Sequence, residues 1–535
     1  MPTDCISYQN SGYFSPLMKD YLEQKSDLLP LHNRFPNSEN FEAQIEEKKI
    51  NFNGNSNGNV KREILVSVLE KQYDKIETSS ATLNNIKLLN NSNTFTITTG
   101  HQLNLFTGPL YFLYKIISTI NLTKELKVTY PSHNFVPIYW MATEDHDFEE
   151  INYFNFKGLK FRWNTESTGP VGRLSTDSLD DFFEVYAKEL GSGKNADAIK
   201  KMFQEAYLKH SNLADATRFL ANTLFGKYGL VILDADEQDL KRAFVPFIKE
   251  ELTQQTSYKK VLETSEKLKN YTIQVNPREI NLFYMEDNIR ERIIIENGNY
   301  KVNNTQLKFT ETEILSLVEN HPEKFSPNVI MRPLYQEVIL PNLCYIGGGG
   351  EIAYWLQLKS FFDDVNITFP ILLLRNSALL ATEKQVTKAN KLGLSWSDLF
   401  SKQADLVNHK TAELSEFSID LSIQKDFLKN QFHYLHSLAQ KTDKSFLGAV
   451  KAQEAKQIKG LENLEKRLLK AQKRKYSDTV ERITDLQNEL FPNQSLQERQ
   501  ANFSEFYIDN GEHFIPQLFN KLKPLENNFN IIILT

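Results

Sequence analysis

The chain has 535 residues, 40% hydrophobic and 24% charged, and its 62 Lys and Arg against 68 Asp and Glu give a formal net charge of −6. This balance is typical of a globular protein of roughly two to four domains, and it argues against a dedicated nucleic-acid binder, which needs a basic surface. With Cys5 and Cys344 as its two cysteines, the sequence excludes a cysteine-based zinc site or disulfide framework and favours an intracellular setting.

Membrane and targeting signals are also missing from the sequence. No apolar run approaches the about 18 residues that would span a bilayer. Residues 1–14 have neither the basic nor the apolar region of a signal peptide. We therefore expect a cytoplasmic protein without a membrane partner.

The first three quarters of the chain predict a mixed α/β fold. The asparagine-rich segments 51–59 and 90–93 contain little that could be buried and are predicted surface loops. A strand with alternating pattern is followed by a glycine turn and a helix, and further short apolar runs predict more strands. The predicted strands are 94–99, 135–142, 228–234 and 367–374, and the predicted helix is 109–127. Strands separated by helical stretches predict a doubly wound α/β sheet.

The composition changes after about residue 380. Residues 381–490 are rich in Lys, Glu, Gln, Leu and Ala, and Leu461, Leu464, Leu468 and Ala471 share one helical stripe. This spacing predicts an α-helical coiled-coil domain of long antiparallel helices, ended by Pro492. The apolar tail 530–535 predicts a last strand, so residues 491–535 are expected to return to the core domain 1–380.

A first candidate site is the turn after the predicted strand 94–99. Gly100 and Gly108 permit close approach of a ligand to the backbone, and the start of the next helix offers free N–H groups to an anion. A strand-to-helix turn without a ligand is the alternative, because the sequence is neither a Walker A motif nor a GxGxxG motif. The candidate binding residues are Thr99, Gly100, His101, Gln102, Thr107 and Gly108.

A second candidate follows the predicted strand 135–142. Glu144, Asp145, His146 and Asp147 place three carboxylates and an imidazole within four residues. Such groups repel one another unless a cation, an amine or protonation compensates them. A general base, an ammonium site, a metal site or a solvated acidic turn would fit, and an amine is favoured over a metal because no second ligand cluster is evident.

A third candidate combines two later segments. The four glycines Gly347, Gly348, Gly349 and Gly350, followed by Glu351, precede a predicted helix and can face a phosphate or carboxylate, or form a mobile loop. The segment 326–337 adds an arginine that can bind the same anion through two hydrogen bonds. Its candidate residues are Asn328, Arg332 and Gln336, and Arg375 is either a further anion contact or a surface charge. The basic stretch 451–482 is typical of a solvated coiled-coil face.

The motifs together resemble the BshC family, the cysteine ligases of bacillithiol biosynthesis. The resemblance lies in TGHQLNLFTGPLYFLYK (99–115), VPIYWMATEDHDFEEIN (136–152), SPNVIMRPLYQEVILP (326–341), GGGGEIAYWLQL (347–358) and LQERQANFSEFYIDNGEHFI (496–515). It implies a Rossmann-like core with inserted connecting segments, a coiled coil that pairs two subunits as a homodimer, and a ligase that joins cysteine to glucosaminyl malate. Members commonly have TGQQ where this chain has His101.

An amide-forming ligase normally activates the acid with a nucleotide, so we expect ATP with magnesium, and no tightly bound metal. Our hypothesis places the nucleotide near 99–107 and the glycines 347–350, with Arg332 on a carboxylate or phosphate. Glu144, Asp145 and Asp147 would hold an amine, and His146 or a carboxylate would take its proton. The alternatives are a class I-like adenylyl transferase acting on another amino acid and a coiled-coil dimer that serves as a binding or assembly protein.

Overall fold

The computed structural model describes residues 5–53 and 59–534, and these divide into two compact units. The core unit contains residues 5–380 and 496–534, and the helical unit contains Ala381–Ser495. No helix of the described residues is long and apolar enough to cross a membrane.

The strands of the described residues are short. In chain order they are β1 (Cys5–Ser7), β2 (Thr94–His101), β3 (Asn134–Met141), β4 (Tyr153–Phe156), β5 (Leu159–Arg162), β6 (Val231–Asp234), β7 (Leu282–Glu286), β8 (Ile289–Glu296), β9 (Asn299–Val302), β10 (Lys308–Phe309), β11 (Phe325–Pro327), β12 (Asn342–Gly347), β13 (Ile371–Leu374), β14 (Ser377–Thr382) and β15 (Asn528–Leu534).

The helices of the core unit that precede the helical unit are α1 (Pro16–Leu22), α2 (Asn40–Asn53), α3 (Arg62–Tyr73), α4 (Ser80–Leu88), α5 (Tyr111–Thr129), α6 (Phe148–Ile151), α7 (Leu179–Leu190), α8 (Lys194–Phe203), α9 (Leu213–Phe225), α10 (Gln238–Gln254), α11 (Thr256–Lys267), α12 (Glu311–Asn320), α13 (Met331–Ile339), α14 (Gly349–Leu356) and α15 (Lys359–Asp364). Those of the helical unit are α16 (Glu383–Lys391), α17 (Trp396–Leu399), α18 (Gln403–Leu414), α19 (Ser422–Ala439), α20 (Lys444–Lys475) and α21 (Ser477–Leu490), and α22 (Gln497–Gln500), α23 (Phe503–Asn510) and α24 (Phe514–Lys521) belong to the core unit again.

A parallel sheet of five strands forms the centre of the core unit. Its order is β13, β12, β2, β3, β6, with β2 in the middle and every neighbouring pair parallel. Its strands are buried on both faces, as expected for a parallel sheet. Phe95, Ile97, Leu343 and Ile371 pack against Leu122 of α5 in one buried cluster. The predicted Rossmann-like fold is confirmed.

Two predicted strands are shorter than expected, for local reasons. The strand predicted at 228–234 begins at Val231, because Gly226–Tyr228 form a 3-10 turn that ends in left-handed Gly229 at φ 84°. The strand predicted at 367–374 begins at Ile371, directly after Pro370, which has no N–H to donate to a neighbouring strand. Of the predicted loop 51–59, residues 51–53 end α2, and 54–58 lie outside the described residues.

An antiparallel sheet was not predicted from the sequence. Its order is β10, β9, β8, β7, β11. The turn between β8 and β9 is Asn297-Gly298, and both residues have positive φ, 53° and 76°. Asn-Gly is the preferred sequence of a two-residue hairpin turn, so the signal was present. This sheet carries Arg290 and Arg292 on the same side of β8.

The helical unit contains the predicted antiparallel helices. Lys425 pairs with Glu465 at 2.6 Å, and His436 pairs with Glu454 at 2.7 Å. A later residue of α19 thus contacts an earlier residue of α20, so the two helices are antiparallel. Phe432, Ala439 and Val450 form its buried contact. Helix α21 ends at Leu490, two residues before Pro492.

Candidate functional site

Two adjoining cavities lie at the carboxyl ends of the parallel strands. The first, of about 580 Å³, is bordered by the ends of β2 and β12 and by Gly348, Gly349 and Gly350, and we call it the glycine-loop cavity. The second, of about 470 Å³, is bordered by residues 140–146 and by β8, and we call it the acidic-turn cavity. Trp140, Ala142, Val329 and Arg332 line both. Ligands bind at this edge in open α/β sheets.

The glycine-loop cavity has an excess of positive charge. Lys115, Arg332, Arg375 and Arg499 line it, against Glu150 and Glu351. Lys115 Nζ is 2.6 Å from Glu351 and donates a hydrogen bond to the Gly100 carbonyl at 2.7 Å. Burial acts to raise the pKa of Glu351, but Lys115 and the Gly348 N–H hold it below its ordinary value. Glu351 neutralises Lys115, and Glu498 pairs with Arg375 at 2.7 Å. Arg332 and Arg499 are the lining cations that have no ion-pair partner among the described residues, so they remain available to an anion.

Three nitrogen atoms that border this cavity are buried and have no hydrogen-bond partner within the described part of the chain. They are His101 Nε2, Arg332 Nη2 and Arg375 Nε. Arg332 is otherwise held in place, because Nη1 donates to Gln336 at 3.0 Å and the guanidinium lies over the rings of Trp140 and Tyr345. Burial, reinforced by Lys115, lowers the pKa of His101 well below its ordinary value. A buried donor without a partner is costly, so these atoms mark a position for a polar ligand.

The first residue of the glycine run, Gly347, lies where the structure has little room for a side chain. A Cβ on Gly347 would lie 2.9 Å from the Glu351 side chain and 3.0 Å from the Tyr345 ring. Gly348 is the N-cap of α14, and its N–H donates to Glu351 at 2.8 Å. Glu351 therefore caps the helix and pairs with Lys115, which fixes the loop at the cavity wall.

Glu144 is part of a buried ion network at the wall of the acidic-turn cavity. Its Oε1 is 2.5 Å from Lys241 Nζ, and Lys241 also pairs with Asp236 at 3.3 Å. Ser326 donates to Glu144 Oε2 at 2.9 Å. Burial raises the pKa of Glu144, and the Lys241 ammonium opposes that rise. Glu144 is thus ion-paired through Oε1, which makes no hydrogen bond among the described residues, and accepts a hydrogen bond through Oε2.

Asp145 and His146 face the same cavity with different partners. Gln102 donates to Asp145 Oδ2 at 3.0 Å, and the backbone N–H of His146 donates to Asp145 Oδ1 at 2.8 Å. Arg290 lies 2.5 Å from His146 Nδ1 and 3.8 Å from Asp145. Burial and the Arg290 charge lower the pKa of His146. Gln102 also lines the glycine-loop cavity, so it joins the two halves of the site.

The structure brings most of the predicted site residues to these cavities. The glycine-loop cavity is bordered by Gly100, His101, Gln102, Gly348, Gly349, Gly350, Glu351 and Arg375; the acidic-turn cavity by Glu144, Asp145, His146 and Asn328; and both by Arg332. Asn328 also accepts hydrogen bonds from Ile330 and Met331 at the start of α13.

The remaining predicted residues line neither cavity. Thr99 donates to the Ile346 carbonyl at 2.7 Å, and Gln336 accepts from Arg332. Gly108 has a φ of 62°, which only glycine adopts readily. Asp147 is exposed before α6. The others are Thr107, which is buried, and Gly347.

Several site residues were missed by the sequence reasoning. Lys115 and Tyr111 lie on α5, and a lysine in an apolar helix is a signal that could have been used. No sequence signal marked Arg290 or Lys241. Arg290 lies on β8 of the antiparallel sheet and Lys241 on α10, and these elements lie beside the site only in the folded chain. Within residues 5–53 and 59–534, no group of three or more His, Cys, Asp or Glu could hold a metal ion.

Comparison with known proteins identifies the family. Residues 1–376 match "Bacillithiol biosynthesis BshC, N-terminal Rossmann-like domain", and residues 378–534 match "Bacillithiol biosynthesis BshC, C-terminal coiled-coil domain". The chain belongs to the BshC family. The resemblance in the sequence motifs is thereby confirmed, as is the combination of a Rossmann-like domain with a coiled-coil domain.

Similar BshC proteins cover the chain from end to end. One from Flavobacterium johnsoniae is 70% identical over 99% of this chain and 100% of its own length, and it is named "Putative cysteine ligase BshC". Proteins of the same name from Flavobacterium psychrophilum and Christiangramia forsetii are 66% and 58% identical, each over 99% of both chains.

Proposed function

We propose that the chain is a cysteine ligase that joins the carboxyl group of cysteine to the amine of glucosaminyl malate and so forms bacillithiol. One observation carries the proposal: relatives named as cysteine ligases match the full length at up to 70% identity. The two adjoining cavities support it, since a ligase holds two substrates side by side. The cytoplasmic location stays a prediction.

The glycine-loop cavity suits the activating nucleotide and the cysteine carboxyl group. ATP, or another nucleotide with magnesium, would supply the activation that a free carboxylate lacks. The three unpartnered nitrogens of His101, Arg332 and Arg375 fit phosphate or carboxylate oxygens. Gly348, Gly349 and Gly350 let such a group approach the N-terminus of α14 closely.

The acidic-turn cavity suits the amino sugar. Arg278 and Arg292 line one part of it and have no ion-pair partner among the described residues, so they are free to bind the malate carboxylates. Asp145 borders the cavity beside Glu144 and can hold the amine. Arg332 lies between the two cavities, where the new amide bond would form.

We further propose that two copies pair through the helical unit. Ile423, Phe427 and Tyr434 of α19 and Leu464 of α20 are 66%, 67%, 65% and 55% exposed, which is unusual for large apolar side chains. A Phe427→Asp variant should shift the protein from dimer to monomer in light scattering. A wild-type monomer would contradict the pairing.

The ligase is tested by mass spectrometry of the purified protein with cysteine, glucosaminyl malate, ATP and magnesium, each omitted in turn. Bacillithiol should form only in the complete mixture, together with AMP or ADP. Product without nucleotide would refute the activation step. Product with another amino acid in place of cysteine would favour an adenylyl transferase, and a folded protein without product in any mixture would favour a binding or assembly role.

A matched pair of variants tests the site. Asp145→Asn should reduce turnover by about 10²–10⁴-fold, the range for a group that transfers a proton. Asp147→Asn removes the same charge two residues away at an exposed position outside both cavities, so it should stay close to wild type. Equal activity of both variants would refute the assignment of Asp145.

A further inference from the structure

The contact between Arg290 and His146 determines which nitrogen of the imidazole carries its proton. Arg290 Nη1 lies 2.5 Å from His146 Nδ1. A guanidinium group has donors only, so Nδ1 must be the acceptor. A neutral imidazole has one N–H, which is therefore on Nε2.

Arg290 is fixed in this position from several sides. Its Nε donates to Ser326 at 3.1 Å, its Nη2 donates to the Pro327 carbonyl at 3.3 Å, and its guanidinium lies 4.1 Å from the centre of the Phe283 ring. The side chain is 8% exposed. Such a group cannot turn away to release Nδ1 without losing several buried contacts.

The surroundings of His146 favour the neutral ring. Burial and Arg290 lower its pKa, whereas the carboxylates of Asp145, Asp147 and Glu291 act in the opposite direction and do not reverse the shift. A proton added at Nδ1 would have to face the Arg290 cation. His146 thus offers an N–H at Nε2 and has no free lone pair at neutral pH.

The neighbouring carboxylates of Glu144 and Asp145 differ in the partners that their oxygens have. Glu144, which also borders the cavity, forms an ion pair with Lys241 at 2.5 Å and accepts a hydrogen bond from Ser326 at 2.9 Å. Asp145 Oδ2 accepts one hydrogen bond, from Gln102, and keeps a lone pair at the cavity wall. A proton on Glu144 would leave the buried Lys241 ammonium with Asp236 as its one carboxylate partner among the described residues, so Asp145 is the better placed of the two carboxylates to accept a proton.

We propose that Arg290 is a positioning residue that makes His146 a hydrogen-bond donor and leaves Asp145 as the general base. The proposal rests on the ligase function above. As the sugar nitrogen attacks the carbonyl carbon of nucleotide-activated cysteine, a C–N bond forms and the C–O bond to the phosphate-containing leaving group breaks. The N–H proton passes to Asp145, while His146 Nε2–H stabilises the negative charge that develops on oxygen.

The tautomer is measured without turnover, by nitrogen NMR of the full-length protein with labelled histidine. The signal of residue 146 is identified by its loss in His146→Gln. The wild type should show the Nε2–H tautomer at neutral pH. Arg290→Met should lose this preference, and Arg290→Lys, which keeps a cation with donors only, should retain part of it. Arg242→Met, which changes an exposed arginine on α10, should retain it in full. An Nδ1–H tautomer or a protonated ring in the wild type would overturn the proposal.

Kinetics of bacillithiol formation separate a donor from a base. The amide side chain introduced by His146→Gln would still provide an N–H donor, so this variant should keep activity within about tenfold of wild type, whereas His146→Phe should lose about 10²–10³-fold. Asp145→Asn should lose about 10²–10⁴-fold. If His146→Gln lost as much activity as Asp145→Asn, the assignment of His146 as the donor and Asp145 as the base would be wrong. An inactive wild type would instead refute the ligase function, and the tautomer measurement would still decide the position of the proton.

Discussion

The buried ion pair between Lys48 of α2 and Glu337 of α13 provides a quantitative test of the core unit. The two side chains are 1% and 0% exposed, and Nζ lies 2.9 Å from Oε2. Glu337 Oε1 also accepts hydrogen bonds from Gln336 at 3.0 Å and Asn342 at 2.7 Å. The pair holds α13, which carries Arg332, against α2 and the parallel sheet.

The cost of removing one partner follows from this geometry. At 2.9 Å and an effective dielectric constant of about 20, the attraction is about 6 kcal/mol, part of which offsets the desolvation of both charges. Lys48→Met leaves Glu337 buried and unpaired, so it should lower the free energy of unfolding by about 3–5 kcal/mol. The double variant Lys48→Met, Glu337→Gln keeps the amide hydrogen bonds without a charge and should recover most of that loss.

The pH dependence of this variant has a definite sign. Burial raises the pKa of Glu337 above its ordinary value even beside Lys48. Removing the ammonium raises that pKa further. In acid the Glu337 carboxyl is protonated in both the folded and the unfolded chain, so the stability of the variant is closest to that of wild type there. Its deficit should grow as the pH rises above about 4.5, because the unfolded chain then releases a proton that the folded chain retains.

Tryptophan fluorescence during urea unfolding measures the effect. Of the four tryptophans, Trp140, Trp163 and Trp355 lie in the core unit and Trp396 in the helical unit. A Trp396→Phe background therefore makes the signal specific to the core unit, and every variant is compared within it. A loss below about 1 kcal/mol for Lys48→Met, typical of an exposed pair, would refute the assignment of this pair to the core.

Further tests address other parts of the core unit. Gly108→Ala should destabilise by at least about 1–3 kcal/mol, because its φ is 62° and a Cβ would lie 2.6 Å from Asn104; an unchanged melting temperature would contradict this strain. A thiol reagent should label exposed Cys5 in the folded protein and buried Cys344, whose thiol pKa is raised by burial, only after unfolding; two labels on folded protein would be inconsistent. The stability difference between wild type and Lys115→Met should shrink as the pH falls below about 4.5, because the lowered pKa of Glu351 gives stability that is lost on protonation; a difference that grows in acid would reverse that sign.

The sequence predicted the parallel sheet because its strands are buried on both faces. Residues 94–99 alternate Thr with Phe and Ile, residues 134–141 are a short apolar run, and the glycine and acidic turns follow these strands directly. The antiparallel sheet was missed because β8, with IRERIIIE, alternates poorly and is half exposed. Its Asn297-Gly298 turn was the one clear local signal.

The candidate site was predictable where its residues follow strand ends in the chain. His101, Asp145 and Gly348 belong to that group. Arg290 and Lys241 were not predictable, because they lie more than 90 residues from the acidic turn in sequence. Their contacts with His146 and Glu144 depend on how β8 and α10 pack in the fold. The sequence alone showed the acidic residues of the turn. The fold was needed to show that Lys241 pairs with Glu144 and that Arg290 contacts His146.

Arg332 borders both cavities with one unpaired nitrogen, and this links the two ligands thermodynamically. A ligand oxygen that accepts a hydrogen bond from Nη2 in one cavity changes what that guanidinium can offer in the other. Linkage of this kind is reciprocal, so the factor by which nucleotide alters the dissociation constant of the amino sugar equals the factor by which the amino sugar alters that of the nucleotide. Arg332→Met should bring both factors towards one, in whichever order calorimetry adds the ligands.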